Sequence, residues 1–295
     1  MSRAGFVAVL GRPNVGKSTF VNRLVGQKVS IVSDKPQTTR NRILAVVNRP
    51  GGQLVLFDTP GIHKPLHRMN QRMVETAVRS LEQVDAALWI VDVKQGYGPG
   101  DRYVSDLLKR SGKPLVLGLN KIDAVPKPRI LPLIDTYRRM LAFEDIVPLS
   151  ALSGENVELV GERLLALLPE GPPLFPEEYL TDLPERFFVA EIVREKVVQF
   201  TRDEIPYTTG VVIESFEEGE ALVRIEATIF VERGGHKGIL IGSKGEMLKR
   251  IGSAARHEIE AFLGTKLFLG LFVKVRPNWR EDPQLLEQMG LGRRG

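Results

Sequence analysis

Gly11-Arg12-Pro13-Asn14-Val15-Gly16-Lys17-Ser18 matches the spacing G-x-x-x-x-G-K-[ST]. Glycines at both ends of such a loop let backbone N–H groups close around phosphate oxygens. Lys17 brings a point charge for β- and γ-phosphates, Ser18 a hydroxyl able to ligate Mg²⁺, and the following helix its N-terminal dipole. Gly11, Asn14, Val15, Gly16, Lys17, Ser18 and Thr19 are therefore the candidate phosphate-binding residues. Such a loop needs a strand before it and a helix after it. The apolar run Phe6–Leu10 and the helical pattern that follows Lys17 supply that context.

Further segments follow in an order that resembles the GTPase branch of the P-loop proteins. Asp58-Thr59-Pro60-Gly61 comes after an apolar run. The resemblance implies an Asp58 that holds Mg²⁺ through water and a Gly61 N–H that senses γ-phosphate. Asn120-Lys121-Ile122-Asp123 follows another apolar run. A carboxylate at Asp123 can accept two hydrogen bonds from the N1–H and N2 amino group of guanine, a donor pair that adenine lacks. Asn120 would bond the base edge and Lys121 would pack along base and ribose. The backbone of Ser150-Ala151-Leu152 resembles the contact to guanine O6. Switch I falls on Lys35-Pro36-Gln37-Thr38-Thr39-Arg40, where a threonine hydroxyl can complete the Mg²⁺ shell. Both Thr38 and Thr39 are candidates, and the Thr-Arg pair favours Thr39. The Mg²⁺ set is then Ser18, Thr39 and Asp58.

Ile62 follows Gly61, where many regulatory GTPases carry a glutamine that orients the attacking water. An isoleucine cannot do so, which predicts slow intrinsic hydrolysis. Asn14 resembles the residue that ligates K⁺ in potassium-stimulated GTPases, and a K⁺ there could stabilise transition-state charge. The plainer alternative is a loop residue.

The chain that carries these motifs has 295 residues, 43% hydrophobic and 26% charged. That is globular composition, not disordered or collagen-like. It has no cysteine, which excludes disulfides and cysteine-ligated metal centres. His63, His67, His236 and His257 show no metal-ligand spacing and read as loop or surface residues, with His236 near enough to a glycine turn to reach RNA. No apolar run reaches the ~18 residues of a membrane span, so the expected location is the cytoplasm. Strand-like runs alternate with helical stretches up to Leu168, apart from the pair 43–47 and 54–57 around Pro50-Gly51-Gly52. This predicts an α/β domain over 1–168, with a mostly parallel six-stranded sheet and helices on both faces. Four prolines within 169–176 break the pattern, and 169–184 reads as a Pro-rich linker. Residues 185–280 then read α-β-β-α-α-β, and 281–295 read as a tail.

The net charge of +5 is localised. Residues 232–280 hold 10 basic and 4 acidic residues, whereas 1–231 balance at 29 of each. A basic block suggests a polyanion partner. Within it, Gly242-Ser243-Lys244-Gly245 lies between two helical stretches, after Ile239 and Ile241. This G-x-x-G and the element order resemble a type II KH domain, an α+β RNA-binding fold whose glycines admit phosphates beside an apolar groove. The candidate RNA contacts are Lys237, Ile239, Ile241, the four residues 242–245, Lys249 and Arg250; Arg256 also faces outward. Trp279 could stack a base, but packing is the simpler reading.

Taken together, the motifs resemble the Era family of bacterial GTPases, within the TrmE-Era-EngA-like group. The specific parts are Gly11–Ser18, the loop 36–40, Asp58–Gly61, Asn120–Asp123, Ser150–Leu152, Asp203–Tyr207, Gly242–Gly245 and Val273–Arg280. The resemblance implies a GTPase with Mg²⁺ that binds the 3′ end of 16S ribosomal RNA through its KH domain. It implies action in assembly of the small (30S) subunit, a monomer, and peripheral association with the inner face of the cell membrane. Two rivals remain open: a KH module with a structural, uncoupled nucleotide site, and a GTPase whose KH-like domain binds protein or acidic lipid.

Overall fold

A computed structural model describes residues 2–35, 37–63, 65, 68–219 and 222–291. Two compact units divide between Asp182 and Leu183. In the first, β1 (Arg3–Leu10), β4 (Ala86–Asp92) and β5 (Leu115–Asn120) are apolar along almost their whole length and buried. Such runs suit central parallel strands covered on both faces. β2 (Ile43–Arg49) and β3 (Gly52–Asp58) form the antiparallel pair, β6 (Asp145–Leu149) the far edge, and the order is β2-β3-β1-β4-β5-β6. At the hairpin, a Cβ on Gly52 would come within 1.9 Å of the Arg3 carbonyl oxygen, so only glycine fits.

Alternation along β1 sends Val7 and Val9 to one face and Ala8 and Leu10 to the other. The first face is covered by α1 (Lys17–Val25) and α5 (Val157–Leu167) through Phe20, Leu24, Val160 and Leu164. The second packs against α2 (Arg68–Glu82), α3 (Pro99–Ser111) and α4 (Ile130–Arg138) around Trp89. The P-loop, Asp58–Gly61, Asn120–Asp123 and Ser150–Leu152 lie at the carboxyl ends of β1, β3, β5 and β6, where open α/β sheets bind ligands.

Residues 169–182, part of the expected linker, belong to the first unit. Ala4 N–H donates to Pro169 O at 3.1 Å, and Val46 N–H to Leu180 O at 2.9 Å. The buried Gln53 side chain accepts from Leu174 N–H (2.8 Å) and Phe175 N–H (3.0 Å) and donates to Phe175 O (2.9 Å). Phe175 and Tyr179 stack at 4.9 Å and pack on the second core face. Proline excludes a helix or a central strand, but an extended proline-rich chain can still hydrogen-bond along a sheet edge.

The second unit runs α6 (Glu185–Phe200), β7 (Gly210–Glu218), β8 (Val223–Val231), α7 (Gly234–Ile241), α8 (Glu246–Leu263), β9 (Leu267–Val275) and α9 (Pro283–Gln288). β7 and β8 pair antiparallel, β8 and β9 parallel. Ile225, Ala227 and Ile229 face Ile251, Ala255 and Ile259 of α8 and Ile192 and Val193 of α6. β7 starts at Gly210: before it, the Thr208 and Thr209 hydroxyls bond back to the Glu204 and Ile205 carbonyls. The expected tail is folded instead: Asp282 caps α9 ahead of Pro283, and Leu285, Leu286, Met289 and Leu291 are buried.

Candidate nucleotide and nucleic-acid sites

The P-loop is shaped by what surrounds it. A Cβ on Gly11 would meet the Ile90 carbonyl oxygen at 2.3 Å, and one on Gly16 (φ 100°) would meet Asn120 Nδ2 at 2.2 Å. Lys17 is buried; its Nζ donates to Arg12 O at 3.0 Å and lies 3.4 Å from Gly11 O. Burial lowers its pKa to about 8, against the attraction of Asp58. Desolvation pushes the fully buried Asp58 upward; Ser18, Lys17, Ser30 and Thr39 pull the other way.

Ser18 Oγ donates to Asp58 Oδ2 at 2.6 Å and lies 2.7 Å from Thr39 Oγ1. P-loop, switch I and the end of β3 therefore meet in one oxygen cluster. Asp58 Oδ1 is buried and meets no donor at bonding geometry. Among the described residues, no group of three His, Cys, Asp or Glu could hold a metal alone. One carboxylate with two hydroxyls fits Mg²⁺, which keeps waters and takes phosphate oxygens to complete its octahedron. When bound with a nucleotide, it neutralises phosphate charge. Thr38 Oγ1 turns away and donates to Lys35 O at 2.6 Å. Pro36, beside it, lies outside the described residues.

Thr19, Thr38, Thr39 and Gly61 line the cleft with Asn14, Gly16, Lys17 and Ser18. Val15 is buried in the core and contributes its carbonyl, not its side chain. Thr59 Oγ1 donates to Val9 O at 2.7 Å, and a Cβ on Gly61 would meet Pro13 at 2.7 Å, so the segment 59–61 lies tight against the P-loop. The Ile62 side chain is 2% exposed within the second core face, away from any water to be oriented. Asn14 (φ 61°) donates its side-chain amide to Asp34 O, just before switch I.

Asn120 is spent largely on the protein itself. Its Nδ2 donates to Val15 O at 2.7 Å and its Oδ1 accepts from Ala151 N–H at 2.9 Å. One amide N–H is left for a base edge, so the expected base contact is the lesser part of its role. Asp123 is exposed. Lys121 Nζ donates to Asn14 O at 2.7 Å and to Asp92 Oδ2 at 2.7 Å; the sequence reading missed Asp92. Ser150 Oγ accepts from Ser153 N–H at 3.1 Å, and the Leu152 side chain is 74% exposed while its carbonyl accepts from Arg23. These two residues shape the loop through backbone and hydroxyl.

In the second unit, a groove of about 570 Å³ runs between α8 and β9. One wall is Gly245, Leu248, Lys249, Gly252, Ser253 and Arg256; the other is Leu267, Phe268, Leu269 and Leu271. Of the expected contacts, Gly245 and Lys249 line it. Lys237, Ile239, Ser243 and Lys244 are exposed on α7 and the turn, and Ile241 and Gly242 are half-buried. Gly242 (φ 72°) is required, since a Cβ would meet Met247 at 2.8 Å. Arg250 turns to the other flank, over the Phe200 ring at 4.3 Å. Leu248 packs against the core and also helps form the wall. The strand wall was invisible in sequence because an alternating strand does not show which edge is open. One expectation is corrected: His236 is buried, with Nε2 3.2 Å from Glu204 Oε1, so it does not reach into the groove. Trp279 is fully buried and donates to Thr208 O at 2.8 Å, the packing role that the sequence favoured. His63 Nδ1 sits 2.9 Å from Gly61 O, His257 is exposed, and His67 lies outside the described residues.

Both units have counterparts among known proteins. The family described as 50S ribosome-binding GTPase matches residues 6–121, and the KH domain family matches 204–280. GTPase Era of Geobacter metallireducens is 51% identical over 290 residues, covering 98% of this chain and 97% of that protein. A crystal structure of Era in complex with MgGDPNP and nucleotides 1506–1542 of 16S ribosomal RNA superposes with a TM-score of 0.96, at 42% identity and 99% coverage of this chain and 100% of that one. A variant of Aquifex aeolicus Era bound to GDP and aluminium fluoride superposes with a TM-score of 0.94, at 43% identity over 98% of this chain and 99% of that one. The chain belongs to the Era family of GTPases.

Proposed function

We propose that this protein is a GTP-binding and GTP-hydrolysing switch that binds the 3′ end of 16S ribosomal RNA through its KH unit and acts in assembly of the small ribosomal subunit. The observation that carries it is the cluster of Ser18, Thr39 and Asp58 beside buried Lys17. It joins P-loop, switch I and the segment before switch II at the place where γ-phosphate and Mg²⁺ would order them. Lys17 and the P-loop amides bind phosphate, and Asp123 selects guanine. The groove between α8 and β9 takes single-stranded RNA, with Gly245 admitting backbone and Lys249 pairing a phosphate. Asn14 and Asp34 O, drawn together at the mouth of the cleft, are the site for a stimulating K⁺, since Ile62 cannot position water. The protein acts as a cytoplasmic monomer with peripheral contact to the membrane, a placement that rests on the family resemblance. Among the described residues, no helix is long and apolar enough to cross a membrane.

Two variants test this reading. Asp123→Asn exchanges two charge-assisted acceptors for an amide, at a cost of about 1.5–3 kcal/mol each. GTP affinity is expected to fall and xanthosine triphosphate affinity to rise. Gly245 has open space around it, so Gly245→Asp adds an anion at the turn without a steric clash, at the cost of holding an aspartate at φ 82°, a left-handed conformation that Asp tolerates better than most residues. It is expected to lose RNA and keep GTP hydrolysis. Unchanged guanine selectivity, or unchanged RNA binding, would refute the corresponding half.

A further inference from the structure

Asp92 ends β4, in register with Asn120 of β5. Its side chain is 2% exposed, and each oxygen is committed. Oδ1 accepts from Lys94 N–H at 2.9 Å, which shapes the following turn. Oδ2 accepts from Gln95 Nε2 at 3.2 Å and from Lys121 Nζ at 2.7 Å. The Lys121 ammonium reaches on to Asn14 O at 2.7 Å. One cation therefore joins the end of β4 to the P-loop. The lysine itself and the loop residue it reaches both hold left-handed backbone: Lys121 has φ 70° and Asn14 φ 61°.

A lysine has a flexible four-carbon stem and three donors, and left to itself it samples many rotamers. Two of its donors are used here, on a buried carboxylate and a loop carbonyl. The carboxylate is what makes this arrangement favourable, because burying a neutral acceptor in its place would leave the ammonium without its counter-charge.

We propose that Asp92 is a positioning residue of the nucleotide site: its carboxylate holds Lys121 so that the lysine stem forms a wall for base and ribose while the ammonium pins the P-loop at Asn14. This rests on the guanine-binding reading of Asn120–Asp123 given above. The proposal separates Asp92 from a residue that only caps a turn. Asp92→Asn keeps an oxygen for Lys94 N–H and presents a neutral amide to Lys121.

The test is dissociation of a fluorescent GDP analogue from the full-length protein, with Mg²⁺, for wild type, Asp92→Asn, Asp92→Glu, Lys121→Gln and the double variant Asp92→Asn/Lys121→Gln. Asp92→Asn is expected to speed release by about tenfold. Asp92→Glu, which keeps the charge, is expected to restore most of the slow release. The double variant is expected to release no faster than Lys121→Gln alone, because one residue acts through the other. Wild-type release from Asp92→Asn would overturn the proposal, as would multiplicative effects in the double variant. Should Asp92→Asn fail to fold, fast release from Asp92→Glu equal to that of Lys121→Gln would overturn it, and near-wild-type release would support it. Failure of the wild-type protein to bind the analogue at all would instead overturn the guanine reading, and this assignment with it.

Discussion

Asn120 Nδ2 donates to the carbonyl of Val15 at 2.7 Å, across 105 residues of sequence. The same nitrogen is what a Cβ on Gly16 would strike. Two motifs that read as separate contacts, one for phosphate and one for the base, are thus parts of one joint. The glycine is small because the asparagine is there, and the asparagine is held because Val15 and Ala151 satisfy it. A site of this kind is preorganised: the phosphate loop and the base loop are fixed to each other before a nucleotide arrives.

Thr39 and Thr38 differ in what their hydroxyls do. Thr39 Oγ1 lies in the Ser18–Asp58 cluster, whereas Thr38 Oγ1 bonds Lys35 O. Thr39→Ala is expected to lower single-turnover GTP hydrolysis by about 10²-fold, the scale for losing one preorganised polar group. Thr38→Ala is expected to leave it within a few-fold. The reverse pattern in a phosphate-release assay would move the switch contact to Thr38.

Lys17 has a pKa lowered to about 8 in the nucleotide-free protein, below its ordinary 10.5. The charged form is thus penalised below about pH 8, and that penalty is relieved as pH rises from about 8 towards 10.5, where the unfolded chain binds more protons than the native one. A bound phosphate anion favours the ammonium and raises this pKa. GDP binding near pH 8 is therefore expected to take up a proton, and affinity to fall as pH rises from 7 to 9.5. Calorimetry in two buffers of different ionisation enthalpy measures the uptake; none at pH 8 would contradict the assignment.

Gln53 carries the strap along the edge of the first unit. Gln53→Leu keeps the size but removes the partner of Leu174 N–H, Phe175 N–H and Phe175 O, at about 0.5–1.5 kcal/mol for each lost hydrogen bond. Melting is expected to drop by several degrees, with new protease cleavage within 169–182. An unchanged cleavage pattern would show that the strap is held by Phe175 and Tyr179 alone.

The nucleotide loop was legible in the sequence because glycine, lysine and serine at fixed spacing answer to one chemistry, and strand ends bring Asp58 and Asn120 near it. The strap was not. Pro172, Pro173 and Pro176 mark an absence of helix, and the same residues suit a linker or an edge-bound extended chain. Gln53, a polar residue at the start of an apolar strand, was the available signal, since a fully buried amide needs partners. Asp92 escaped for a similar reason: its partner Lys121 is 29 residues away, and only the parallel register of β4 and β5 brings them together. His236 read as a surface residue because a histidine after two glycines looks like a loop, yet Gly234 and Gly235 open α7 and turn it inward.

The most direct measurement is the affinity of the full-length protein for a short RNA matching the 3′ end of 16S ribosomal RNA, once with a non-hydrolysable GTP analogue and once with GDP. A ligand shifts a switch only by its differential affinity for the two states, and the coupling is reciprocal. Tighter RNA binding with the GTP analogue is expected, by roughly 5–150-fold, the span of typical coupling energies. The same RNA is then expected to raise affinity for the analogue relative to GDP by the same factor. Equal affinity in the two nucleotide states would contradict a nucleotide-gated switch and leave two uncoupled sites on one chain.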